Sequence, residues 1–71
     1  MRLAHRFGQN VRRIRLERGL SQEALADELP LAVTYVGQIE RGRRNPTLEV
    51  VEKFAAALSV DPIELLLEPA G

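Results

Sequence analysis

The chain has no cysteine and no tryptophan, aromatic residues make up only 4% of it, and its single histidine is His5. Without cysteine there is no disulfide framework, no thiol nucleophile and no cysteine-ligated metal, and one histidine excludes a multi-histidine metal site. The five glycines form neither a P-loop nor a dinucleotide-binding motif. These absences predict a protein that is not an enzyme, needs no cofactor and takes no small-molecule substrate.

Long apolar runs are lacking as well, because no stretch approaches the about 18 to 20 residues of a membrane span, and no signal peptide is recognisable. We therefore expect no membrane association and a cytoplasmic location. The 71 residues correspond to one small domain, 1–71. A domain of this size buries only about 62% of the surface of its unfolded chain, so association with a second copy would help to stabilise it.

The net charge is zero, but basic and acidic residues occupy different segments. Residues 1–18 hold six arginines against one acid, and residues 41–45 hold three more arginines. Residues 19–40 hold four acids and no base, and residues 46–71 hold five acids against one lysine. Arginine suits bidentate contact with phosphate and guanine, so the two arginine blocks favour a polyanion as partner. For any single arginine, a solvated helix face is the alternative.

Apolar periodicity and capping residues predict five short helices and no strands, which is an all-α fold. In the first helix, apolar residues recur at steps of four, four and three from Leu3 to Ile14. Gly19 and Gly42 are suited to ending helices, and Ser21, Thr47 and Asp61 to capping them. The predicted helices cover residues 3–18, 22–29, 33–40 and 48–58, and a last helix begins at Pro62.

The second and third predicted helices have the spacing of a helix-turn-helix. Counted from Gln22, Leu25 and Ala26 fall where the two helices meet, and the small alanine lets the helices cross closely. The residues left facing outward, on the side that would enter a major groove, are Ala32, Val33, Thr34, Gly37, Gln38 and Arg41. A helical hairpin within a bundle, without any ligand, explains the spacing equally well.

Residues in and around this pair carry a resemblance to a known family. They are Gly19-Leu20-Ser21-Gln22, Leu25-Ala26 and the run IERGRRNPTL from Ile39 to Leu48. The combined pattern G-L-S-Q…L-A…I-E-R-G-x-x-x-P resembles the phage repressor and Cro-type (XRE-type) helix-turn-helix family, especially small members such as restriction–modification controller proteins. The resemblance implies a compact five-helix bundle of the lambda-repressor-like type. It also implies a homodimeric transcriptional regulator that binds double-stranded DNA sequence-specifically.

The resemblance further implies roles for individual residues. Three match base-reading positions: Val33, Thr34 and Gln38. A glutamine can pair with adenine, a threonine can serve several bases, and a valine can touch a thymine methyl. Six match phosphate-contacting positions: Gln22, Tyr35, Arg41, Arg43, Arg44 and Asn45. Arg15 and Glu40 match an internal ion pair, so we expect them to be structural.

Three residues depart from the family pattern. Pro30 stands where a glycine usually makes the turn, and proline cannot adopt a left-handed conformation, so the turn must differ. Ala32 stands where a capping residue is usual, which costs the third helix about 1 kcal/mol. Gly37 costs that helix about another 1 kcal/mol relative to alanine, although a missing side chain lets the backbone approach DNA.

The C-terminal segment places four large aliphatic residues within five positions: Ile63, Leu65, Leu66 and Leu67. At about 100° per helical residue, Leu65 points away from the other three, so one monomer cannot easily cover all four. We expect these residues to form a two-fold homodimer interface, and the dimer to bind inverted half-sites one helical turn apart.

Other functions remain to be weighed against DNA-binding regulation. A DNA-binding antitoxin, or another protein-interaction module, would share the fold and add a protein partner. A small carrier protein would need an Asp-Ser-Leu attachment site, and neither Ser21 nor Ser59 has that context. An enzyme would need partners for His5, Ser21 or Tyr35, and the sequence offers none.

Overall fold

The computed structural model describes residues 2–68, and these residues form helices without strands. The described α-helices are α1 (Arg2–Glu17), α2 (Gln22–Glu28), α3 (Val33–Glu40) and α4 (Leu48–Leu58), followed by a 3₁₀ turn (Pro62–Leu65). The all-α prediction is confirmed. The expectation of five helices is wrong, because the last segment is a single 3₁₀ turn rather than a helix. None of the helices described is both long enough and apolar enough to cross a membrane.

The 3₁₀ turn begins as the sequence predicts and stops early. The Asp61 carboxylate accepts a hydrogen bond from the backbone N–H of Ile63 at 2.9 Å, and the Glu64 carboxylate accepts one from the backbone N–H of Asp61 at 3.2 Å. This capping box starts the turn. The turn is then closed by bonds between residues three apart, from Glu64 N to Asp61 O and from Leu66 N to Ile63 O, both at 2.9 Å. So short a segment gains little from α-helical bonding, which is why the tighter geometry is found.

The predicted capping residues and helix-ending glycines are found at the ends of the other helices. The hydroxyls of Ser21 and Thr47 accept hydrogen bonds from the backbone N–H three residues on, at 3.0 and 3.1 Å. Gly19 and Gly42 follow helices with φ of 69° and 73°, the left-handed conformation that glycine tolerates best. Ser59 ends α4 in the same conformation, with φ of 60°, although nothing in its residue type predicts this.

The turn between α2 and α3 contains no left-handed residue, as Pro30 requires. It closes instead with a hydrogen bond from the backbone N–H of Leu31 to the carbonyl oxygen of Ala26, at 2.8 Å. Ala32 is the N-cap of α3 and supplies no side-chain hydrogen bond. The third helix nevertheless begins at Val33, so the expected start is confirmed.

The core receives residues from all four helices and the 3₁₀ turn, and two phenylalanines pack against each other within it. The rings of Phe7 and Phe54 meet edge to face, with centroids 5.4 Å apart and planes at 82°. The core consists of Phe7, Val11, Ile14, Leu25, Ala26, Leu29, Val36, Ile39, Val51, Phe54, Ala55, Leu58 and Leu65. Where α1 crosses the end of α3, Gly8 leaves no room for a side chain, because a Cβ there would lie 2.1 Å from the carbonyl oxygen of Ile39.

Leu65 is fully buried in this core, so its expected place in a dimer interface is corrected. The 3₁₀ turn changes the angle between successive side chains, and the segment is pinned to α1 by a buried asparagine. The Asn10 amide nitrogen donates to the carbonyl oxygens of Leu65 and Leu67, at 2.9 and 2.8 Å. This arrangement directs Leu65 inward, leaves Ile63 and Leu67 exposed, and half-buries Leu66.

Candidate nucleic-acid interface

Arg15 and Glu40 join the end of α1 to the end of α3. The Arg15 guanidinium donates from Nε to Glu40 Oε2 at 2.6 Å and from Nη2 to Oε1 at 3.1 Å. Arg15 Nη1 also donates to the carbonyl oxygen of Leu20, at 2.8 Å. Only 8% of the arginine side chain and 2% of the glutamate side chain are exposed. The structure therefore brings together the two residues that the family resemblance paired, in a bidentate and desolvated contact.

Gln22, the first residue of α2, extends this ion pair towards the surface. Its amide Nε2 donates to Glu40 Oε1 at 3.0 Å, and its side chain is half-buried. A Cβ on Gly37 would lie 3.7 Å from the Gln22 Oε1 atom and 3.5 Å from Nη1 of Arg41. The absence of a side chain at position 37 therefore opens a small notch in α3, and both polar groups lie over it.

The residues expected to read bases lie on the outer side of α3. Val33 and Thr34 are exposed in its first turn, and Gln38 is half-buried one turn later. Val36 and Ile39 occupy the opposite side and are buried in the core. Packing of that inner side orients the helix, and its outer side remains open to a ligand.

A second polar cluster lies where α3 meets the loop that follows it. The Arg44 guanidinium carbon is 5.1 Å from the centre of the Tyr35 ring, within the range of a cation–π contact. Arg44 Nη1 also donates to Gln38 Oε1 at 3.4 Å, a long hydrogen bond between exposed groups. Arg43 and Asn45 are exposed beside this cluster. The loop residues assigned to phosphate contacts thus follow the C-terminal end of α3, and Arg44 reaches back along that helix to Gln38 and Tyr35.

In the first arginine block, residues 1–18, three arginines bind other groups of the protein itself. Arg15 belongs to the buried ion pair, and Arg13 pairs with Glu17 at 3.3 Å on the surface of α1. Arg18 Nε donates to the carbonyl oxygen of Leu58 at 2.6 Å, at the last turn of α4. Arginine content alone could not separate these roles, because the partners lie on other elements or at the next turn of the helix.

Sequence reasoning missed three residues through which α1 and the turn after it contact other parts of the fold: Gly8, Asn10 and Arg18. Asn10 follows Phe7 by three positions and therefore lies on the apolar stripe of α1, where a polar residue is a recognisable anomaly. A glycine inside a long helical pattern is a similar signal, since it weakens the helix unless a neighbour needs the space. For Arg18 the sequence holds no comparable signal.

Comparison with known proteins agrees with the geometry. The model of a helix-turn-helix family, HTH_3, matches residues 11–65. The control protein C.BamHI of Bacillus amyloliquefaciens is 52% identical over 61 residues, which cover 84% of this chain and 75% of that protein.

Two solved structures of restriction–modification controller proteins are similar as well. C.AhdI from Aeromonas hydrophila matches with a TM-score of 0.83 and 47% identity, over 87% of this chain and 94% of that chain. C.Esp1396I, solved as a tetramer in complex with its natural 35 base-pair operator, matches with a TM-score of 0.80 and 35% identity, over 89% of this chain and 83% of that chain. The chain therefore belongs to the XRE-type helix-turn-helix family, as its motif pattern predicted.

Proposed function

We propose that the protein is a transcriptional regulator that binds operator DNA sequence-specifically, with α3 in the major groove. The observation that carries the proposal is the outer side of α3, where exposed Val33 and Thr34 and half-buried Gln38 are presented by a helix whose inner side is packed in the core. The groove admits one α-helix and displays a distinct pattern for each base pair. Gln38 would pair with a base edge, and Val33 and Thr34 would contact neighbouring bases.

Phosphate contacts would flank the reading helix on both sides. Gln22 would supply one from the start of α2, and half-buried Tyr35 a second from the first turn of α3. The exposed residues at the end of α3 and in the following loop would supply the others: Arg41, Arg43, Arg44 and Asn45. Such contacts fix the register of the helix on the duplex and make the affinity depend on salt. The loop holds three of the chain's nine arginines within four positions, which favours this assignment.

We further propose a two-fold homodimer that binds inverted half-sites. Ile63 and Leu67 are 63% and 55% exposed, and Leu66 lies at the edge of an apolar groove that reaches Leu3 and Leu48. An apolar surface of this kind is unusual on a monomer. The similar controller protein C.Esp1396I assembles as a tetramer on its operator, so association of subunits is found within the family. A dimer would place two copies of α3 about 34 Å apart, one turn of DNA.

This role has three consequences for the chain as a whole. Residues 1–71 would act as one DNA-binding domain, and the protein would regulate rather than catalyse. A regulator must reach DNA, so we expect the protein in the cytoplasm.

Selection of DNA from a random duplex pool tests the central proposal. The purified protein should enrich one sequence with inverted half-sites. Gln38→Ala should then cost about 1 to 3 kcal/mol on the selected duplex and little on random DNA, because a base contact carries sequence information. Arg43→Ala is the matched variant for a phosphate contact, and it should weaken binding to both DNAs and lower the salt slope by about one phosphate per subunit. Equal losses on all sequences for Gln38→Ala would show that α3 does not read bases.

Sedimentation tests the dimer. At micromolar concentration we expect a species of about 16 kDa, twice the 8.0 kDa of one chain. Leu67→Glu should reduce it to the monomer, whereas Leu16→Glu should not, although Leu16 on α1 is similarly exposed at 51% against 55%. A wild-type protein that stays monomeric at high concentration and binds a single half-site would contradict the dimer.

A further inference from the structure

We propose that Glu40 is a positioning residue for DNA binding: it holds the Gln22 amide in the orientation that contacts a DNA phosphate. Glu40 would not touch DNA itself, since 98% of its side chain is buried, and it would act through its hydrogen bond to Gln22. The inference rests on the proposed function, because it assumes that Gln22 meets a phosphate.

The Glu40 carboxylate is a rigid support. Both of its oxygens accept hydrogen bonds from the planar Arg15 fork, at 2.6 and 3.1 Å, and that fork is held in turn by the Leu20 carbonyl at 2.8 Å. The Arg15–Glu40 pair therefore joins three parts of the fold: the end of α1, the turn before α2 at Leu20, and the end of α3. A bidentate arginine–carboxylate pair allows little rotation of either group.

Attachment to this support fixes the direction of the Gln22 amide. The amide nitrogen has two N–H groups in one plane, and the bond to Glu40 Oε1 at 3.0 Å uses one of them. The second N–H must then point away from Glu40, in a direction set by the amide plane. A free glutamine on a helix surface would have to order several torsions when it binds, and that loss of entropy weakens the contact. Here the side chain is ordered before DNA arrives.

The surroundings of the amide suit a phosphate. The Gln22 Oε1 atom and the Arg41 Nη1 atom lie over the same notch, 3.7 and 3.5 Å from where a Cβ of residue 37 would be. The Gln22 amide oxygen therefore lies on the side of Arg41, and the second N–H of the same amide is not used by Glu40. That N–H and the Arg41 guanidinium are two donors available to phosphate oxygens, and the guanidinium also supplies positive charge. The ion pair of Arg15 and Glu40 thus does more than hold the fold together, because it also orients one of these two donors.

Side-chain relaxation of the DNA-free protein tests the orientation directly. ¹⁵N relaxation should give the Gln22 amide group an order parameter near that of rigid backbone, about 0.85, and Glu40→Asp should lower it below about 0.6. The aspartate keeps its charge beside Arg15, but its shorter side chain withdraws the acceptor from Gln22. A mobile Gln22 amide in the wild-type protein would overturn the inference while leaving the proposed function intact.

A double-mutant cycle on the duplex selected from the random pool tests the effect on binding. Glu40→Gln replaces one of two acceptor oxygens by an N–H₂ group, so Gln22 must turn its own oxygen towards residue 40. We expect Glu40→Gln to weaken binding about fivefold per subunit in the wild-type background and less than about twofold in the Gln22→Ala background. Glu17→Gln, in the exposed ion pair of α1, is the matched control and should change neither affinity nor salt slope.

The outcomes of the cycle distinguish an effect of Glu40 on the Gln22 amide from an effect of Glu40 on stability. All variants are compared at a temperature where circular dichroism shows them folded, and Glu40→Asp takes the place of Glu40→Gln if the latter does not fold. Equal losses in both backgrounds would mean that Glu40 acts only through stability, and the inference would be wrong although DNA binding stands. If the wild-type protein selects no duplex from the pool, the proposed function fails together with the inference.

Discussion

Gly8 lies where α1 crosses the end of α3, and replacing it by alanine tests the packing of the whole site. The added Cβ would lie 2.1 Å from the carbonyl oxygen of Ile39 and 3.0 Å from that of Glu40. Both contacts are to backbone, so relief requires α1 and α3 to separate. Overpacking of this kind costs about 1 to 3 kcal/mol or more, against a gain of about 1 kcal/mol from the better helix propensity of alanine.

Gly37→Ala provides a matched control within the same structure. It brings the same gain in helix propensity, but its Cβ would meet only the side chains of Arg41 and Gln22, at 3.5 and 3.7 Å. These are ordinary contact distances, so we expect the free energy of unfolding to rise by about 1 kcal/mol.

The Tm measured by circular dichroism should therefore change in opposite directions for the two variants. In a domain of this size, 1 kcal/mol corresponds to about 4 to 8 °C in Tm. Gly8→Ala should lower Tm, or prevent folding, and Gly37→Ala should raise it. A Tm for Gly8→Ala at or above that of the wild type would refute the close crossing of α1 and α3, and with it the placement of the Arg15–Glu40 ion pair.

Three further substitutions probe other contacts. Glu40→Ala leaves the buried Arg15 guanidinium without its partner and should cost about 3 to 5 kcal/mol of unfolding free energy, so a fall in Tm of only a degree or two would mean that the pair is exposed. Asn10→Ala removes two hydrogen bonds to the C-terminal segment, and we expect both a lower Tm and a weaker dimer in sedimentation; unchanged association would argue against Leu67 as an interface residue. Ala32→Ser supplies the side-chain cap that α3 lacks and should raise the free energy of unfolding by about 1 kcal/mol, whereas a lower Tm would show that α3 begins elsewhere.

The local features of the protein could be predicted from sequence because they depend on neighbours along the chain. Helix periodicity is a pattern over adjacent turns, and the caps at Ser21, Thr47 and Asp61 bond to backbone groups only two or three residues away. The turn at Pro30 follows from the restricted φ of proline. The family motif has the same character, because it is a spacing of residue types within one stretch of chain.

The C-terminal segment shows where such reasoning fails. Four aliphatic residues predicted a helix with one side left uncovered, but the segment forms a 3₁₀ turn whose Leu65 fills the core. The deciding contact is the bond from Asn10, which lies 55 residues earlier in the chain. No local pattern contains a contact of that separation, so the side of the segment that faces solvent is set only when α1 packs against it.

The arginines also show the difference between what local sequence sets and what long-range contacts set. By itself, the sequence determined that the chain is helical, where its helices begin, and that its motif is that of a DNA-binding family. Only the tertiary structure decided which arginines hold the fold together, because Arg15 and Arg18 donate to groups on α3 and α4 while Arg43 is exposed in the loop. A guanidinium has the same charge in either role, and its use is settled by which acceptor the fold brings within reach.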